Sequence, residues 1–349
     1  MSILFKHPIW AMAFRPFYSL AALYGALSIL LWGFGYQGTP ELSGFYWHAH
    51  EMIWGYAGLV VIAFLLTAVA TWTGQPPTRG GALAGLTAFW LAARIAAFIP
   101  GWGAVASGIA GTVFFWYGAV CMAIPVYRSR NKRNYIAVFA IFVLGGTHVA
   151  FHRHLNPLDG IALLNGLVAG LIMVAAFIGL IGTRIISFLL PLAALFTFAA
   201  GIINLIQVCR WWNNAILKEP MLWILFAGYF FTALGLTAIG LSHFKLQLLN
   251  LGVHLIGVGG IGVLTLGMMA RTALGHTGHP IYPAPKPIPL AFWLMIAATL
   301  IRIIATFVSG TAYTHSIRCS AALFAASLLL YAWRYIPWLI KPRADGKAG

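Results

Sequence analysis

Long apolar runs with almost no charge inside them are what most constrain this sequence. Of its 349 residues 61% are hydrophobic and 7% charged, and the mean hydropathy is +0.90. A soluble domain carries roughly 25% charged residues, so lipid is the solvent for which this chain is built. A helix needs about 20 apolar residues to cross the hydrocarbon core. Runs of that size fall at 17–36, 48–72, 81–99, 104–126, 135–152, 160–182, 185–209, 220–242, 247–270, 288–308 and 315–338. The pattern predicts an all-α fold, a polytopic transmembrane helical bundle of about 11–12 spanning helices. The breaks have physical causes: Thr73-Gly74-Gln75-Pro76-Pro77 and Pro280 to Pro289 cannot continue a helix, and Arg128 to Arg133 is too polar to bury. The longest loop runs from about 271 to 287, so residues 1–349 read as one integral membrane domain with no soluble part.

The formal charge of +16 reflects only five acidic residues, not a basic face. Its lysines and arginines are scattered between apolar runs, where they set topology and touch lipid headgroups. Nucleic acid is therefore rejected as a partner, and membrane lipids are expected. Cys121, Cys209 and Cys319 stand singly in apolar runs, which argues against disulfides or a thiolate metal site. No cleavable signal peptide is evident, because residues 17–35 make a full-length first span.

With the N-terminal side taken as inner, Lys6, Arg15, Arg79, Arg128, Arg130, Lys132, Arg133, Arg184, Lys245, Arg302 and Arg318 fall on or near that side. Arg153, Arg210, Lys218, Arg271 and Lys286 fall opposite. The bias predicts a cytoplasmic N-terminus. Eleven spans leave the basic tail, Lys341, Arg343 and Lys347, on the outer side, and a twelfth span would bring it back.

On this topology His48, His50, His148, His152, His154, His276 and His279 gather in the outer half, with His254 about midway along the ninth span. Only His7, His243 and His315 fall on the inner side. Glu51, Arg94, Asn204 and Gln207 lie in the same outer half. Ionisable groups in a bilayer cost at least ~2.5–3.5 kcal/mol each, so they pair and mark function. A Glu51–Arg94 ion pair is one economical arrangement, and Arg94 on a haem propionate is another.

Spacing restricts the chemistry. His48 and His50 point about 200° apart on a helix and cannot share one ion while helical. His148 and His152 share a face and suit two ligands to one metal, and His48 with Met52 makes a nitrogen–sulfur pair that suits copper. His50 and His254, on different helices, are candidates to sandwich a haem. Each feature also has a plainer reading. Histidines at helix ends anchor at the interface, Glu51 near a helix start is favoured by the helix dipole, and Trp102, Trp211, Trp212 and Trp338 fit an aromatic belt.

The chain resembles the NnrS family, haem- and copper-containing bacterial membrane proteins of the nitric oxide response. Phe14 to Tyr18 is similar to that family's opening motif. The strongest likeness lies at Trp47-His48-Ala49-His50-Glu51-Met52, followed by Phe64 to Val69, Trp72-Thr73-Gly74 and Trp90 to Arg94. It continues from Arg133 through His152, and ends with His254 to Gly260, Gly267 to Arg271 and Leu274 to Gly278. The resemblance implies a b-type haem (no CxxCH is present), copper, and a role in nitrosative stress and denitrification with nitric oxide as a partner. On it, His50, His254, Arg94 and Arg271 are cofactor-binding candidates, and His48, His50, Met52, His148, His152, His254 and His276 are metal candidates. Two positions depart from the family: Phe226 stands where a histidine is usual, which weakens the expectation of copper, and Ser187 where a proline is usual. A multi-span transporter of metal, haem or a small molecule and a haem–copper redox enzyme are the alternatives.

Overall fold

The computed structural model describes residues 7–155, 159–182, 193–245 and 247–347. Lys6, Arg184 and Ser187, and the start of the 185–209 run, lie outside them. The described residues form no named strand, only an isolated bridge between Gly38 and Ser43. The bodies are α1 (Phe14–Gly33), α2 and α3 (Gly44–His50 and Gly58–Thr73, joined by a π-helical stretch, Glu51–Ala57), α4 (Gly81–Ala96), α5 (Gly103–Arg128) and α6 (Tyr135–Arg153). They continue with α7 (Gly160–Gly182), α8 (Ala193–Trp211), α9 (Pro220–Gly240), α10 and α11 (Gln247–His254 and Val263–Thr277, joined by a second π stretch, Leu255–Gly262), α12 (Ile288–Ile304) and α13 (Gly310–Leu339). Among the described residues nine helices are long and apolar enough to cross a membrane, and α4 and α8 are shorter apolar ones. The protein is an all-α, multi-pass membrane bundle.

Small residues decide which helices meet. Without a hydrophobic drive in lipid, close backbone approach supplies the packing energy. A Cβ at Gly33 would meet the Ala321 side chain at 2.5 Å, and one at Gly228 would meet Leu264 at 2.5 Å. These contacts also fix direction. Arg15, at the start of α1, donates from Nη1 to the carbonyls of Leu339 (2.8 Å) and Lys341 (2.7 Å), and Gly33 at its other end faces α13 near Ile317. Helices α1 and α13 are therefore antiparallel, and the tail returns to the face from which α1 starts. Thr277, ending α11, accepts from Ala344 N (2.9 Å) on that same face.

The parity changes between α7 and α8. Gly160 lies by Tyr46 and Gly170 by Trp54, so α7 runs parallel to α2–α3. Gly201 lies by Thr237 and Gly240 by Phe198, so α8 is antiparallel to α9; Gly235 by Ile256 and Gly228 by Leu264 make α9 antiparallel to α10–α11. Tyr18 and Thr272 interact, as do the rings of Phe14 and His276, so α11 is antiparallel to α1 and parallel to α3. Hence α7 and α8 point the same way, and residues 183–192 between them lie outside the described residues.

This corrects the expected sidedness. Arg210, Lys218, Arg271, Lys286, His276 and His279 belong to the N-terminal face, and Lys245, Arg302 and Arg318 to the opposite one. Hydropathy counts apolar runs but carries no direction, so one reversal inverts every later assignment. The correction removes the conflict over Lys341, Arg343 and Lys347, which join the basic residues of the N-terminal face. In a background free of native cysteines, Lys132→Cys and Ala344→Cys should react alike with an impermeant maleimide on vesicles, and Ser43→Cys oppositely. Labelling of Ala344→Cys together with Ser43→Cys would refute the shared face.

Candidate metal centre

The site is built where the second body changes from α to π winding. One extra residue per turn interrupts the regular helical hydrogen bonding, a feature that recurs at functional sites. His50 is the last residue before the change and Glu51 the first within it, both fully buried. The neighbouring helix α5 makes room for two more imidazoles with glycines three apart. A Cβ at Gly108 would lie 2.8 Å from the His152 ring, and one at Gly111 would lie 2.7 Å from the His148 ring. On α6, His148 and His152 are four apart and point the same way, into this space.

The three Nε2 atoms converge. His50 Nε2 lies 3.1 Å from His148 Nε2 and 3.0 Å from His152 Nε2, and one ligand atom from each residue falls within 4.8 Å of the others. A metal held at about 2.0–2.1 Å from each nitrogen separates tetrahedral ligands by about 3.4 Å, so the two His50 contacts need to open by only a few tenths of an ångström. The outer groups orient the rings. His50 Nδ1 lies 2.7 Å from Glu51 Oε1, an acceptor when ionised, so Nδ1 carries the proton and Nε2 offers its lone pair. The Thr112 hydroxyl sits 3.1 Å from His148 Nδ1. Trp54 and Phe151 pack against the His50 ring and make the site apolar.

Glu51 is compensated. Arg94 Nη1 donates to Glu51 Oε2 at 2.5 Å, and the Tyr24 hydroxyl donates to the same oxygen. Gly55 permits this, because a Cβ there would stand 2.6 Å from Arg94 Nη1; its carbonyl also accepts from Trp90 Nε1 at 3.0 Å.

The other candidates lie elsewhere. The His48 ring stacks on Trp32 with centroids 4.8 Å apart, and the Met52 sulfur accepts from Ser28 Oγ at 3.7 Å. Both face a second cavity together with His254 and Arg302. Arg302 Nη2 donates to His254 Nε2 at 2.7 Å, so His50 and His254 are turned to different partners and do not face one another. Arg271 and His276 line a third space, near the N-terminal face, together with Phe226. Tyr24, Thr112, Gly108 and Gly111 belong to the site without having been marked in the sequence; only Ser107-Gly108-Ile109-Ala110-Gly111, a small-residue stripe facing the histidine helix, carried a signal.

A membrane-embedded helical bundle with three imidazoles converging on one point, backed by a carboxylate and a guanidinium, defines a multi-pass membrane protein with a candidate metal site. A profile described as NnrS protein matches residues 8–194 and 187–343, so the chain belongs to the NnrS family. A comparison with curated proteins gave no match.

The Glu51–Arg94 pair has a stability consequence. Removing one partner of a buried pair strands the other charge and costs about 3–5 kcal/mol. Glu51→Gln should lower stability by that order in detergent unfolding, whereas Thr112→Val should cost about 1 kcal/mol. Equal losses in the two variants would contradict the charge assignment.

Proposed function

We propose that this protein is a metalloprotein of the nitric oxide response in the bacterial cytoplasmic membrane, holding copper on His50, His148 and His152. The observation that supports it most is that His50 Nε2, on a carboxylate-bound imidazole, lies 3.1 Å from His148 Nε2 and 3.0 Å from His152 Nε2. An all-imidazole set suits copper among several transition metals, and family membership favours copper and a role in nitrosative stress. Copper bound there would supply one-electron chemistry. The chain's own contribution is to fix the His50 tautomer through Glu51, to hold Glu51 ionised against Arg94, and to exclude water with Trp54 and Phe151.

A b-type haem, which the family also implies, is best accommodated in the cavity of about 660 Å³ lined by Arg271, His276, Phe226, Tyr229 and Trp211. That volume lies within the 300–1,000 Å³ usual for cofactor-sized ligands. His276 would supply its imidazole and Arg271 a cation for a propionate, and Phe226 stands on the wall where the family usually has a histidine. Haem supplies a redox-active iron able to take nitric oxide. The orientation belongs to the same reading: the basic N-terminal face is cytoplasmic, and the three histidines sit toward the outer side.

Metal analysis and visible spectra of the detergent-purified protein test this. His148→Ala and His152→Ala should each lower copper per protein by about tenfold or more, the scale of losing one ligand-shell contact, and leave the Soret band. His276→Ala should remove the Soret band and leave copper. Unchanged copper in both α6 variants would overturn the site, and a colourless, metal-free wild type would favour the transporter reading.

A further inference from the structure

The two broken helices are copies of one plan. An offset of 204 residues carries His50 onto His254, each the last residue before its π stretch, and Gly55 and Gly58 onto Gly259 and Gly262. It also carries Thr73-Gly74 onto Thr277-Gly278, where both glycines close the helix in the left-handed region, at φ 65° and 78°. The following helix brings an arginine back to each break, Arg94 on α4 to Glu51 and Arg302 on α12 to His254, after Ala88-Phe89-Trp90-Leu91 and Ala291-Phe292-Trp293-Leu294 respectively. Arg302 lies four residues further from its histidine than Arg94 does, about one helical turn, and reaches the imidazole itself.

One member of the first copy is missing from the second. Glu51 corresponds to Leu255, so the carboxylate that neutralises Arg94 has no equivalent beside Arg302. Among the described residues no Asp or Glu pairs with Arg302; the Tyr313 side chain and His254 are its polar neighbours, and its buried Nη1 has no hydrogen-bond partner. His254 does not relieve the charge. Its Nδ1 lies 2.8 Å from the Asn250 carbonyl, which can only accept, so Nδ1 carries the proton and neutral Nε2 accepts from Arg302. His48 Nδ1 is likewise buried and unpartnered. Both residues line one cavity of about 110 Å³ with Met52 and otherwise mostly apolar side chains.

We infer that this pocket binds a small planar oxyanion, of the size and charge of formate or nitrite, which supplies to Arg302 the carboxylate-like partner that Glu51 supplies to Arg94. A guanidinium offers two parallel donors to such a group, and an uncompensated cation in apolar surroundings is costly enough to favour it. The volume admits a few water-sized groups and lies far below the ~300 Å³ at which larger organic ligands begin. The site is separate from the three-histidine cluster and does not depend on metal there.

Thermal unfolding and calorimetric titration of the purified full-length protein with sodium formate and sodium nitrite, against sodium gluconate at equal ionic strength, test the inference. Saturable stabilisation by formate or nitrite and not by gluconate is expected. Formate acting alone identifies a carboxylate site, and nitrite acting alone a nitrogen-oxyanion site. Arg302→Gln should weaken binding by about tenfold or more, the factor for one charge-assisted hydrogen bond, and Arg302→Lys should weaken it less. No saturable response in the wild type, or undiminished affinity in Arg302→Gln, overturns the proposal. If the glutamine variant does not fold, undiminished affinity in Arg302→Lys overturns it equally, because the paired donors are then irrelevant.

Discussion

Glu51 is the group on which the rest of the site depends. A lone carboxylate in a bilayer is costly, and this one is held by three donors at once: Arg94 from α4, Tyr24 from α1 and His50 from its own chain neighbour. Those bonds tie three helical bodies together at one depth and leave the His50 lone pair pointing at α6. The π winding at Glu51–Ala57 places His50 and Glu51 where each meets a different helix. Without the carboxylate, Arg94 would face the imidazole cluster as an uncompensated cation.

Much of this was legible in the sequence. Apolar runs of about 20 residues marked an all-α membrane bundle, and the four-residue spacing of His148 and His152 marked a shared face. Burial of both Glu51 and Arg94 made a pair between them one economical outcome. Direction was not legible. Each apolar run looks the same read either way, so the shared direction of α7 and α8 left no trace in hydropathy, and His276, His279 and Arg271 were assigned to the opposite face. Helix-to-helix contact was not legible either: the sequence offered His254 as the facing partner of His50, while the glycines at 108 and 111 let α6 take that place. The two π stretches are equally silent in the sequence, because a single π turn leaves no periodicity of its own in a mostly apolar run.

The corrected topology divides the molecule by chemistry. Arg79, Arg128, Arg130, Lys132, Arg133, Arg210, Lys218, Lys286, Lys341, Arg343 and Lys347 all belong to the N-terminal face, with the Arg271–His276 cavity just above them. The three histidines and the Arg302 pocket sit toward the sparsely charged opposite face. On this account one helix plan occurs twice with two uses: the first copy carries Glu51 and faces imidazoles, and the second carries Leu255 there and leaves a guanidinium in an apolar pocket.

The most direct test of the central claim is the coordination of copper in the purified protein, measured by X-ray absorption at the copper edge with electron paramagnetic resonance of the oxidised form. Three imidazole nitrogens at about 2.0 Å, with the signal collapsing in His152→Ala, is the predicted result. A sulfur scatterer, which would point to Met52, or a nitrogen shell unchanged by loss of His152, would contradict it.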